Sequence, residues 1–116
     1  MTIEECYTRM NADYTDVLRR LVSAERVRRC LTRLPDDPSF SNLDSALADH
    51  QAEDAFRAAH SIKGISANLG LTNLYESSSA LEDALRDGKI SNESTTLVKQ
   101  VKKDYQTVKQ YIQALT

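Results

Sequence analysis

Apolar residues recur at helical spacing along almost the whole chain, and only three glycines and two prolines stand among 116 residues to interrupt them. So few breakers leave little turn chemistry for an all-β fold. Aromatic residues are sparse and tryptophan is absent, which suits helices packed on helices better than a sandwich. The expected fold is all-α: an antiparallel up-down-up-down four-helix bundle with additional short N-terminal helices.

The punctuation divides the chain into segments. Helices are expected over 3–10, 13–21 and 24–34, the third opened by the Ser23 hydroxyl and carrying Val27, Cys30, Leu31 and Leu34 on one stripe. Pro35-Asp36-Asp37-Pro38 makes the clearest turn, and Pro38 or Ser39 opens the next helix. Phe40, Leu43, Ala46 and Leu47 share a face until a bend at Asp49-His50-Gln51. A longer helix follows over 52–69 with the stripe Phe56, Ala59, Ile62, Ser66 and Leu69, and Gly70 stands where a left-handed cap belongs. Leu71, Leu74, Ser78, Leu81 and Leu85 form the next stripe, stopped by Gly88. A last helix starts near Ser91 with Leu97, Val101, Val108, Ile112 and Leu115 facing inward. The division is one domain over 1–116: capping helices over 1–34 and the bundle over 38–115. Met1 and the uncluttered start favour a whole gene product.

A net charge of −2 provides no global basic field for nucleic acid or anionic lipid. The cluster Arg26, Arg28, Arg29 and Arg33 reads as a solvated helix face. No signal-peptide pattern and no apolar run of roughly 20 residues is present, so neither export nor a membrane span is expected. Cys6 and Cys30 lack metal-site spacing and read as reduced thiols. These readings place the chain in the cytoplasm.

One stretch of the fifth helix is unusual. At 3.6 residues per turn His60, Lys63, Gly64 and Ala67 form a single ridge, offset from the buried stripe. A glycine inside a helix costs about 0.5–1 kcal/mol relative to alanine, so open space beside the histidine has a use. An unperturbed imidazole titrates near pH 6.5, and its neutral form carries a free nitrogen lone pair able to attack phosphorus and later to leave. Lys63 can stabilise charge on phosphoryl oxygens. The helix itself offers no base and no phosphate-binding loop, so a partner would bring most of the machinery. No metal or other cofactor is expected: His50 and His60 are separated by a bend, and Arg57 stands where a Glu-x-x-His metal motif would need its glutamate.

The run Ala59-His60-Ser61-Ile62-Lys63-Gly64-Ile65-Ser66-Ala67-Asn68-Leu69-Gly70 resembles the HxxKGxxxxxG signature of histidine-containing phosphotransfer domains. His60, Lys63, Gly64 and Gly70 match position by position. The resemblance implies that His60 accepts a phosphoryl group from a receiver aspartate and passes it to another, with Lys63 in electrostatic support and Gly64 providing clearance. It further implies response-regulator receiver domains and a hybrid histidine kinase as partners, a monomeric state, and no autonomous kinase activity. Arg57, Ser61, Gly64, Ala67 and Asn68 are the expected partner-binding residues, and Gly70 the structural one. The competing readings are a receiver-docking bundle without transfer, and the phosphoacceptor piece of a larger chemotaxis-type histidine kinase. For Gly64 alone, close helix packing competes with clearance.

Overall fold

The computed structural model describes residues 1–115, and among them the secondary structure is entirely helical. The helices are α1 (Ile3–Arg9), α2 (Tyr14–Leu21), α3 (Ala24–Thr32), α4 (Ser39–Ala48), α5 (Ala52–Asn68), α6 (Thr72–Leu85) and α7 (Asn92–Gln113). A short 3-10 turn over Leu34–Asp36 separates α3 from α4. The third helix therefore stops before Leu34, because Pro35 cannot supply the N–H that an α-helical continuation needs.

Local chemistry accounts for most of the ends. Thr2, Asp13 and Ser23 each accept the backbone N–H three residues ahead and so cap α1, α2 and α3. Ser91 and Ser94 satisfy one another's backbone in a complete capping box at the head of α7. Gly70 and Gly88 adopt φ of +67° and +80° just beyond α5 and α6, the left-handed conformation that glycine reaches without strain.

Helices α4 to α7 run up and down in order, with α5 packed on α4 and α6, and α6 on α7. The ring closes between α4 and α7, where Phe40 stacks on Tyr105 at 3.5 Å between ring centroids and Lys102 pairs with Asp44 at 2.9 Å. The core takes Leu43 and Ala46 from α4, Ala55, Ala59 and Ile62 from α5, Leu74, Leu81 and Leu85 from α6, and Val98, Val101 and Val108 from α7. Two buried serines sit among them without cost in lost hydrogen bonds: Ser66 donates to the Ile62 carbonyl and Ser78 to that of Leu74.

The α3 stripe needs one correction. Val27, Leu31 and Leu34 are buried, but Cys30 is exposed. The short helix itself turns only Val27 and Leu31 inward, Leu34 is buried from the 3-10 turn that follows, and Cys30 turns outward.

The first three helices sit against the C-terminal end of α5. Tyr7 is fully buried and its hydroxyl donates to the Leu69 carbonyl at 2.6 Å; burial pushes its phenol pKa well up, so it stays a donor. The Asp13 N–H donates to the Gly70 carbonyl at 2.9 Å. Arg20, paired with Asp16, donates through its guanidinium to the carbonyls of Ala67 and Asn68 at 2.6 and 2.9 Å. Those are last-turn carbonyls beyond the reach of the regular helical ladder, that of Ala67 also accepting the Gly70 N–H at 3.3 Å. The N-terminal segment thus caps the helix that carries the candidate site.

Candidate functional site

The ridge lies on α5 as its spacing requires. His60, Gly64 and Ala67 are exposed, and Lys63 is half-buried. Residues 62, 66 and 69 turn into the core on the opposite side. A methyl group built on Gly64 would meet nothing within 4 Å. Close helix packing therefore does not explain this glycine.

The decisive neighbour comes from another helix. Glu82 on α6 is 4% exposed at its side chain, and one of its oxygens (Oε2) lies 2.5 Å from His60 Nδ1. Its other oxygen (Oε1) accepts from Lys63 Nζ at 3.4 Å and from the Arg86 guanidinium at 3.2 Å. Burial alone would raise the Glu82 pKa, but the hydrogen bonds and charges of His60 and Lys63 outweigh it and hold the carboxyl below its ordinary value. An ionised carboxylate only accepts, so Nδ1 carries the proton. In the neutral ring the lone pair then belongs to Nε2, on the side away from Glu82, and the His60 side chain is 71% exposed.

Sequence reasoning passed over Glu82 and Arg86. A signal for Glu82 was present: it falls in the interior register Ser78, Leu81, Glu82, Leu85, where an ionisable residue is an anomaly. Its partner stands 22 residues away, so no local spacing reveals the pair. Arg86 follows one turn later and also bonds Asp83 at 3.2 Å, with its guanidinium 5.4 Å from the centre of the Phe56 ring.

The other expected partner-binding residues are distributed around this centre. Arg57 and Ser61 line a groove of about 370 Å³ between α4 and α5. Arg57 is engaged by Glu53 and Asp54 at 2.5 and 3.0 Å, so it adds little net positive potential. Asn68 is exposed at the far end of the ridge, where its carbonyl is taken by Arg20. Gly70 stands behind the site, under the N-terminal segment. His50 is exposed in the α4–α5 bend at φ +55° and takes no part.

A space test follows from the empty surroundings of Gly64. Gly64→Ala should raise stability by about 0.5–1 kcal/mol, the helix-propensity gain, and leave the ridge usable. Gly64→Gln should keep the fold but slow any reaction with a macromolecular phosphoryl donor by ten- to a hundredfold, roughly what misplacement by an ångström costs. Thermal melts and single-turnover transfer assays separate the two effects; unimpaired transfer in Gly64→Gln would remove the case for clearance.

No helix among the described residues is long and apolar enough to cross a membrane. No curated protein and no solved structure matches the chain. A family model does: that of the Hpt domain matches residues 13–115. Members of this family are phosphotransfer modules rather than kinases, and they work with receiver domains and kinases. Given an all-helical bundle and a match over nearly the whole chain, the protein belongs to the Hpt domain family and has a histidine phosphotransfer role in a phosphorelay.

Proposed function

We propose that this protein is a phosphorelay intermediate in which His60 takes a phosphoryl group from a receiver-domain aspartate and passes it to the aspartate of another receiver. The hydrogen bond between His60 and Glu82 carries this reading. It directs the ring proton to Nδ1 and leaves Nε2 as the exposed nucleophile.

The step balances without an added acid or base. The Nε2 lone pair forms the N–P bond, and the P–O bond to the aspartate breaks with its electron pair staying on the carboxylate oxygen. The ring keeps its Nδ1 proton and becomes positively charged, directly against the Glu82 carboxylate. Lys63 turns from Glu82 to the phosphoryl oxygens, and its 3.4 Å separation from Oε1 is long enough to make that contact easy to give up. Return to a second receiver reverses each movement. Gly64 and Ala67 leave room for the visiting acidic site, while Ser61, Arg57 and Asn68 border it.

The test uses the intact chain and a receiver carrying a labelled aspartyl phosphate. Label should move to this protein in a single turnover, resist base and be lost in acid, as a phosphoramidate is. A receiver that binds tightly while no receiver transfers label would replace this reading with that of a docking bundle.

A further inference from the structure

Glu82 has two oxygens and three donors, and the donors are not equivalent. Oε2 serves His60 alone, whereas Oε1 is shared by Lys63 at 3.4 Å and Arg86 at 3.2 Å. We propose that Arg86 is a positioning residue that holds Glu82 on His60 while Lys63 is away at the phosphoryl group. The proposal rests on the functional reading above, because it assigns a purpose to a second cation on the same oxygen.

The surroundings of the two cations separate their roles. Lys63 reaches Glu82 as a single flexible ammonium, with the Tyr75 ring 5.9 Å away as its other contact. Arg86 is held at three points: Glu82, Asp83 at 3.2 Å, and the face of Phe56. It also caps the C-terminal end of α6, one turn beyond Glu82, so the pair does not depend on the position of α5. Lys63 has one long bond to give up, whereas the Arg86 guanidinium, though 61% exposed, meets two carboxylates and a ring.

A nearly buried carboxylate that lost its only charged partner would be costly to keep ionised and in place. Lys63 is such a partner only if nothing else holds Oε1. With Arg86 present, Lys63 can leave without freeing Glu82, whose interaction with the ring matters most once phosphorylation has made that ring cationic. Among the described residues, the groups paired with Glu82 are the His60 imidazole and the Lys63 ammonium from α5 and the Arg86 guanidinium at the C-cap of α6.

The experiment needs no phosphoryl donor, so its outcome is independent of whether transfer occurs. Lys63→Ala reproduces the state in which the lysine has left. Nitrogen-15 NMR of the His60 imidazole at about pH 8.5, well above the usual imidazole pKa, reports which ring nitrogen carries the proton. Lys63→Ala and Arg86→Gln should each keep the Nδ1–H tautomer, since one cation still holds Glu82. The double variant should lose its preference, the ratio of the Nδ1–H to the Nε2–H tautomer falling roughly fivefold, the worth of one ordinary hydrogen bond. Lys63→Ala with Arg86→Lys should recover part of the loss. A double variant that keeps the wild-type tautomer overturns the proposal, as does loss of the tautomer in Lys63→Ala alone, where Arg86 would have failed to hold Glu82 in the absence of the lysine. If these results hold but no receiver labels His60, the holding role stands and the phosphorelay reading fails.

Discussion

His60→Gln should abolish labelling by a phosphorylated receiver, a loss of about 10³-fold or more, while leaving the fold intact. The effect is large because the substitution removes the only proposed nucleophile: an amide nitrogen shares its lone pair with the carbonyl and does not attack phosphorus. Stability should change by less than about 1 kcal/mol, because the position is exposed, glutamine is a good helix former, and its amide N–H₂ can still donate to Glu82. The comparison requires equal melting temperatures and equal receiver binding for the two proteins. Label that survives on the glutamine variant would show that the phosphoryl group sits elsewhere.

Gly70→Ala should be the most damaging small change to the fold, at about 2–4 kcal/mol, or roughly 10 °C in melting temperature. Two costs combine. At φ +67° an L-residue is strained by about 1–2 kcal/mol. The added methyl would also stand 2.7 Å from the Asp13 carbonyl oxygen and 3.4 Å from Val17 Cβ, so α2 must move away from the end of α5. Gly88 supplies the control. It has φ +80° but nothing within 4 Å of a built methyl group, so Gly88→Ala bears the backbone cost alone. Equal losses in urea titrations of the two variants would mean that contact with the N-terminal segment contributes nothing at Gly70.

That contrast also indicates where the final glycine of the motif acts. It stands beyond the C-terminal end of α5, away from His60, and against the segment that pins that helix. Gly70, Leu69, Asn68 and Ala67 all offer carbonyls to residues of the first three helices or their connections. Tyr7 lies before the stretch matched by the family, yet it is among the groups that fasten the site-bearing helix.

Features written in short-range chemistry were legible without coordinates. The bounds of α5, α6 and α7 follow from apolar period, the two left-handed glycines and the Ser91 box, because each operates within a turn or two of backbone. The ridge of His60, Lys63, Gly64 and Ala67 is equally local, since helical geometry alone brings those residues into line. Cys30 shows the limit of this kind of reading: its spacing fits the buried stripe of α3, but how wide a stripe is covered depends on what packs against it.

Glu82 and Arg86 belong to the other category. Helical period could mark Glu82 as misplaced in an apolar register, but only the packing of α6 on α5 puts its carboxylate on His60 Nδ1. That contact selects the tautomer on which the proposed transfer rests. Docking of the first helices on α5 has the same origin. Spacing along one helix sets which side chains share a face; the charge state, tautomer and anchorage of those side chains arise from groups far away in the chain, brought within bonding distance by burial.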